Sequence, residues 1–294
     1  VMNFTTAREL LDYCEKEKKK ISEAMFIRET TDLEQSPEET SKKMQRAYEI
    51  MKQSIERALT EEIYGMGGMI GGESRLLNTL REDGKNLCGP LVSKAIAYAM
   101  GVLEVNASMG LIVAAPTAGS SGVLPGVLRA VQEEMDFTDE QIIQSIYTAA
   151  AVGYLITRNA TTAGAEGGCQ AEVGSASAMA AAAVVELMGG TPSQCLDAAV
   201  FALINILGLV CDPVGGLVEI PCQNRNAMGA SNALISAEIA LSGVKSVTPL
   251  DEAIAIMYSV GRSLPSALRE TARGGMATSP SACEACKIKW KLPH

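Results

Sequence analysis

Cys169, Cys211 and Cys222 are the residues whose type and spacing point most directly to chemistry. They fall in Glu166-Gly167-Gly168-Cys169-Gln170, in Cys211-Asp212-Pro213-Val214-Gly215-Gly216 and in Pro221-Cys222-Gln223-Asn224-Arg225-Asn226, a C-x41-C-x10-C pattern. The glycines and prolines around each thiol read as exposed loop rather than packed core. A structural zinc site is closed by four ligands, usually paired C-x2-C or His partners. Three thiolates with an open fourth position suit an iron-sulfur cluster with one unligated iron, a group capable of Lewis-acid chemistry. The competing reading is cysteine as a small buried hydrophobe, which fits Cys14 and Cys195 inside helical patterns. Local context alone leaves both readings open for the other three, although freed backbone amides nearby could hydrogen-bond cluster sulfur.

A second constellation is Pro116-Thr117-Ala118-Gly119-Ser120-Ser121-Gly122. It lacks the Lys-Ser/Thr ending of a P-loop, so it is not read as a phosphate cradle. Its amides, including those of Gly119 and Gly122, and the hydroxyls of Thr117, Ser120 and Ser121 could form an anion nest for a small carboxylate. A small-residue turn without a ligand is the plain alternative. Asn106 and Ser108 are further candidates for the same pocket, with a helix C-cap explaining Asn106 nearly as well. Lys85 and Lys94 have no phosphate-loop setting, so no pyridoxal phosphate is expected. The single histidine is the terminal His294, which leaves the chain without an obvious general base near neutral pH. Cys283 and Cys286 form one C-x2-C pair, ambiguous between metal binding and a reactive thiol pair.

These residues need a scaffold. The 294-residue chain is 47% apolar, enough for one large core or two closely packed domains, but only 4% aromatic. Alanine, glycine, methionine and leucine must therefore build the interior, a composition that favours helices over sheets. Charged groups give 34 acidic against 25 basic residues, net -9, a balance that repels nucleic acid and anionic membrane surfaces as partners. Residues 179–188 and 195–210 are apolar yet shorter than the roughly 20 residues a bilayer needs, and read as buried helices. A charged helix rather than an apolar signal core follows the first residues, so a cytoplasmic location is expected. Eight cysteines in a reducing compartment are better used on metal than in disulfides.

Helical starts are legible from caps. Thr5 or Thr6 caps a first helix, and Ser36-Pro37-Glu38-Glu39 opens a long one through about Tyr64. Helices are expected over 91–105, 123–134, 138–157, 193–209, 224–241, 249–260 and 265–271, with 111–115 extended. The glycine-rich run 65–72 breaks the pattern and predicts a hinge or a close backbone approach. The fold class is mainly α, a single large helical domain spanning 1–294 with glycine-rich active-site loops and a C-terminal tail over about 274–294.

On the three motifs quoted above and the cysteine spacing, nearly the whole chain resembles the α chain of the iron-sulfur-dependent L-serine dehydratases. The resemblance implies a [4Fe-4S] cluster on Cys169, Cys211 and Cys222. It also implies a substrate carboxylate at Thr117, Gly119, Ser120, Ser121 and Gly122, and an oxygen-sensitive enzyme that uses no pyridoxal phosphate. Loss of water from L-serine removes the α proton and expels the β hydroxyl, a poor leaving group until an acid or metal takes up its charge. Two-chain members of that family carry a Ser-Ser-His-Thr type motif on a separate β chain, and single-chain members carry it N-terminally. Neither the motif nor that domain is present here, so a hetero-oligomer is expected in which a β subunit supplies the histidine. In some single-chain relatives a C-terminal cysteine caps the open iron; Cys286 is the candidate here, although eight residues follow it. The alternatives are a related L-cysteine desulfidase and a non-catalytic iron-sulfur sensor module.

Overall fold

Side-chain caps at Thr6, Ser36, Thr138 and Thr191 set four of the helix starts in the computed structural model, which describes residues 3–31, 36–282 and 284. Thr6 closes a capping box with Glu9 at the start of α1 (Ala7–Glu17). Lys18 ends α1 in the left-handed region, and α2 (Ile21–Thr31) follows, a helix the lysine run had concealed in the sequence. Ser36 accepts from the Glu39 amide and Pro37 takes the first turn of α3 (Pro37–Thr60). The amphipathic α4 (Glu73–Glu82) was likewise missed, since it begins directly after the glycine run. The order continues through α5 (Gly89–Ala107), α6 (Val123–Met135), α7 (Asp139–Asn159), the single turn α8 (Gly164–Gly167), α9 (Ser175–Leu187), α10 (Pro192–Asn205), α11 (Cys222–Leu241) and α12 (Leu250–Ser263).

The alanine-rich α9 lies at the centre. Its residues from Ser175 through Glu186 are all buried, and it packs against α6, α7, α10 and α11. Alanine side chains let those helices approach closely and still fill the interior, which is how a core forms with so few aromatics. No helix among the described residues is long and apolar enough to cross a membrane. The chain is mainly helical, as its composition indicates.

Two local expectations fail. Residues 111–115 form no strand, and among the described residues the single isolated bridge pairs Cys211 with Arg269. The expected helix at 265–271 shrinks to a 3-10 turn, Ser266–Leu268. The Leu268 carbonyl accepts from the Cys211 amide at 2.8 Å and the Glu270 amide donates to the Cys211 carbonyl at 2.7 Å, so those groups cannot continue a helix.

The glycine run 65–72 is a close approach. Glu219, buried between two of the motif cysteines, accepts from the amides of Gly67 at 2.5 Å and Met69 at 2.8 Å. A Cβ on Gly67 would lie 2.9 Å from the same carboxylate. A second tie joins this end of the molecule to α11. Gln223 donates to Glu104 at 2.9 Å and to Glu73 at 3.3 Å, and the Ser74 amide also donates to Glu104 at 2.9 Å. Burial raises Glu104 to about 7, with the adjacent Glu73 charge adding to the shift and the Ser74 and Gly72 amides opposing it. Burial also acts on Glu73, but hydrogen bonds led by the Gly71 amide outweigh it and leave that carboxyl lowered. Of the two acids, Glu104 is the one that keeps its proton to higher pH, and its Oε2 has no hydrogen-bond partner.

Because the folded value of Glu104 exceeds the unfolded one, the native state binds more protons between the ordinary glutamate range and about pH 7. Stability falls as pH rises through that window and levels off above it. Glu104→Gln, which mimics the protonated acid, is expected to flatten this slope by up to about 3 kcal/mol. Thermal melts of both proteins between about pH 5 and about pH 8 check it, and parallel curves would refute a raised Glu104.

Candidate active site

Each motif cysteine is placed by a different backbone device. Gly168, at φ 74°, turns the chain from α8 into Cys169, which opens the π-helical turn Gln170–Gly174. A Cβ at Gly168 would lie 2.7 Å from the Leu209 carbonyl, so a larger residue is excluded by contact as well as by conformation. Cys211 is held at both N–H and C=O by the segment around Arg269. Cys222 is the first residue of α11, after a cis Ile220–Pro221 bond.

All three thiols are buried, at 2%, 3% and 7% exposure, contrary to the exposed loops their glycines and prolines predict. Here the glycines serve packing instead. A Cβ on Gly164 would lie 3.0 Å from the Cys211 sulfur and 2.6 Å from Glu172 Oε2.

The ligand atoms of Cys169, Cys211 and Glu172 all lie within 4.8 Å of one another. Cys169 is lowered below the ordinary thiol value, first by a hydrogen bond from Cys211 and then by the Arg225 guanidinium, against burial. Cys211 is raised correspondingly, by that same hydrogen bond and by burial, so Cys169 ionises first. Cys222 is pushed up to about 12 by burial, with the Cys169 charge adding to it. Arg225 is raised even though burial opposes its charge, because Cys169 and Asp212 face it. It pairs with Asp212 at 2.8 Å and donates to the Val210 carbonyl at 2.8 Å.

The 116–122 loop reaches the same site through α11 and Glu172. Asn226 accepts from the Gly122 amide at 3.0 Å and donates to the carbonyls of Gly119 and Cys222, at 2.8 and 2.9 Å. One amide thus locks the loop to the helix turn that carries Cys222. The Gly122 amide is engaged in this tie. Ser120 and Thr117 hydroxyls lie 3.0 Å apart, and Thr117 donates to Glu172 at 2.9 Å. The Ser121 hydroxyl turns back to the Ala118 carbonyl. Asn106 and Ser108 sit at the end of α5, where the Asn106 carbonyl accepts from Met109 and the Ser108 hydroxyl donates to Val105, the contacts of a helix terminus. A cavity of about 610 Å³ lined by Lys19, Phe26, Gln45, Gln144 and Tyr147 lies between α2, α3 and α7, away from these groups. Convergent chemistry, rather than concavity, marks the site.

The donor set fits an iron-sulfur cluster: three buried free thiols from separate segments, a cation beside them and glycine where a side chain would intrude. The profile of the family described as serine dehydratase alpha chain matches residues 16–277. The chain belongs to that family.

Among its relatives, the probable L-serine dehydratase alpha chain of Bacillus subtilis is 47% identical over 281 residues, 96% of this chain and 93% of that one. The L-serine dehydratase alpha chain of Peptoniphilus asaccharolyticus is 47% identical over 274 residues, covering 93% and 94%. An L-serine dehydratase of Helicobacter pylori is 37% identical over 286 residues, 94% of this chain but 61% of the longer relative. These two alpha chains are matched over more than nine-tenths of their length, and the longer relative over 61% of its own. Reading motifs did not single out Glu172, Arg225 or Asn226 of this family member. Their spacing was the available signal: Glu172 is three residues past Cys169, and Arg225 and Asn226 are three and four past Cys222. Cys283, Cys286 and His294 lie outside the described residues, although the preceding arm is fastened at the site by the Met276 amide, which donates to Asp212 at 2.7 Å.

Proposed function

We propose that this chain is the α subunit of an iron-sulfur-dependent L-serine dehydratase that converts L-serine to pyruvate and ammonia. The observation that carries this reading is the meeting of the thiols with the 116–122 loop through Glu172 and Asn226. Cys169, Cys211 and Cys222 would hold a [4Fe-4S] cluster. When bound, the cluster supplies an open iron as Lewis acid for the β hydroxyl.

The chain's own residues do the rest of the positioning. The loop amides near Gly119 would receive the substrate carboxylate, while the Ser120 and Thr117 hydroxyls, linked to each other and to Glu172, hold the loop that presents them. Arg225 would offset thiolate charge in a buried setting. Asn226 holds the carboxylate loop and Cys222 in one register. Loss of the α proton and the hydroxyl leaves aminoacrylate, which tautomerises and hydrolyses to pyruvate and ammonia. The base for that proton is assigned to a histidine of a β subunit, since this chain's one histidine is residue 294.

The test is anaerobic preparation of the chain with and without its β partner, with iron, sulfide, spectrum and pyruvate release measured on adding L-serine or L-cysteine. Serine turnover by the isolated chain is expected below about 1% of the two-chain rate, the usual effect of removing a general base. Full turnover by the isolated chain would remove the need for the partner. Pyruvate from cysteine alone would make it a desulfidase. A cluster spectrum indifferent to serine, with no turnover by the complex, would make it a sensor.

A further inference from the structure

Glu172 bridges the two halves of the site. Its Oε1 accepts from the Thr117 hydroxyl at 2.9 Å, and its Oε2 lies 3.9 Å from the Cys211 sulfur. Glycines flank both oxygens: a Cβ on Gly119 would lie 3.3 Å from Oε1, and one on Gly164 would lie 2.6 Å from Oε2. Glycine at these two positions lets the loop and the α8 turn close directly onto this carboxylate, between the loop and the thiols.

A serine zwitterion bound between the loop and the thiols would bring three polar groups to this carboxylate. Its carboxylate faces the loop and its hydroxyl faces the thiol side, which leaves an ammonium to be taken out of water. An unpaired ammonium in a buried site is costly. The neighbouring acids are already engaged: Asp212 pairs with Arg225 and accepts from the Met276 amide, and Glu219 accepts from Gly67 and Met69. Burial raises Glu172 to about 7, the Thr117 hydroxyl opposing it and the charge of Glu270 adding to it, and Glu270 itself is exposed. Glu172 Oε2 retains acceptor capacity on the side facing the thiols, since a carboxylate has about four lone-pair sites.

Resting on the L-serine reading above, we propose that the Glu172 carboxylate receives the α-ammonium of the substrate and so selects amino acids over the corresponding hydroxy acids. Glu172 then sets substrate specificity by direct contact, with Thr117 holding the carboxylate in orientation.

The experiment compares the anaerobic two-chain enzyme with its Glu172→Gln and Glu172→Asp variants. It measures KM and kcat for L-serine, inhibition by 3-hydroxypropionate, which lacks the ammonium, and iron and sulfide content. For Glu172→Gln, KM for L-serine is expected to rise about 30-fold, the size of a lost charged hydrogen bond. Inhibition by 3-hydroxypropionate stays within about 3-fold of the parent and the iron content is unchanged. Parallel weakening of serine and 3-hydroxypropionate would overturn the assignment in favour of a loop-holding role. A fall in kcat at unchanged KM would overturn it in favour of proton transfer. If Glu172→Gln loses iron, Glu172→Asp decides: KM for serine rises about 5-fold or more with inhibition unmoved, or the assignment fails. Loaded parent enzyme that neither binds nor turns over serine would refute the L-serine reading itself, a result separable from any behaviour of the variants.

Discussion

Cys211→Ser is expected to leave the chain folded but unable to retain iron. The backbone of Cys211 is fixed on both sides by Leu268 and Glu270, so the substituted side chain must stay where the thiol was. Serine offers a harder, largely protonated oxygen to a metal that prefers thiolate. Iron and sulfide content after anaerobic reconstitution should fall at least about 10-fold, and serine turnover by the two-chain enzyme at least about 1,000-fold. Cys88→Ala is the control, because that thiol is exposed and free at the start of α5. It should keep full iron content. A Cys211→Ser protein with parental iron and spectrum would exclude Cys211 as a ligand.

Asp212→Ala is expected to be the most destabilising single change near the site. Asp212 and Arg225 are 4% and 13% exposed at the side chain, so their 2.8 Å ion pair is barely screened by solvent. Removing the acid leaves a guanidinium buried beside the thiols with its principal carboxylate partner gone, a change that costs about 3–5 kcal/mol. The melting temperature should drop by roughly 10 °C for a chain of this size. The second Asp212 oxygen receives the Met276 amide, so the C-terminal arm should also become more open to limited proteolysis. Asp212→Asn, which keeps hydrogen bonding but not charge, should lie between the two. Loss of less than about 1 kcal/mol in Asp212→Ala would mean that Arg225 is compensated elsewhere.

Several features could be read from the chain directly, because they depend on local chemistry. Thr6, Ser36 and Thr138 each begin a helix where a cap was expected, since an N-cap is satisfied by atoms three residues away. The alanine-rich stretch and the dearth of aromatics indicated closely packed helices, and α9 is such a helix. The helix expected at 265–271 was lost because its backbone groups bond to Cys211, more than fifty residues earlier, which no local pattern reveals. The buried state of Cys169, Cys211 and Cys222 was misread for a related reason. Glycine marks both exposed turns and places where a neighbour comes too near for a Cβ, and only the neighbour distinguishes them.

The sequence by itself determined the family, the helical class and the three thiols with their spacing, because residue identity and short-range order are enough for each. Tertiary structure alone decided how those thiols are served. It brought Glu172 to Thr117, Arg225 to Cys169 and Asp212, and Asn226 to the 116–122 loop, contacts between groups up to about a hundred residues apart. Such contacts are set by how α9 and α11 pack against their neighbours, and that packing is a property of the whole core rather than of any one segment.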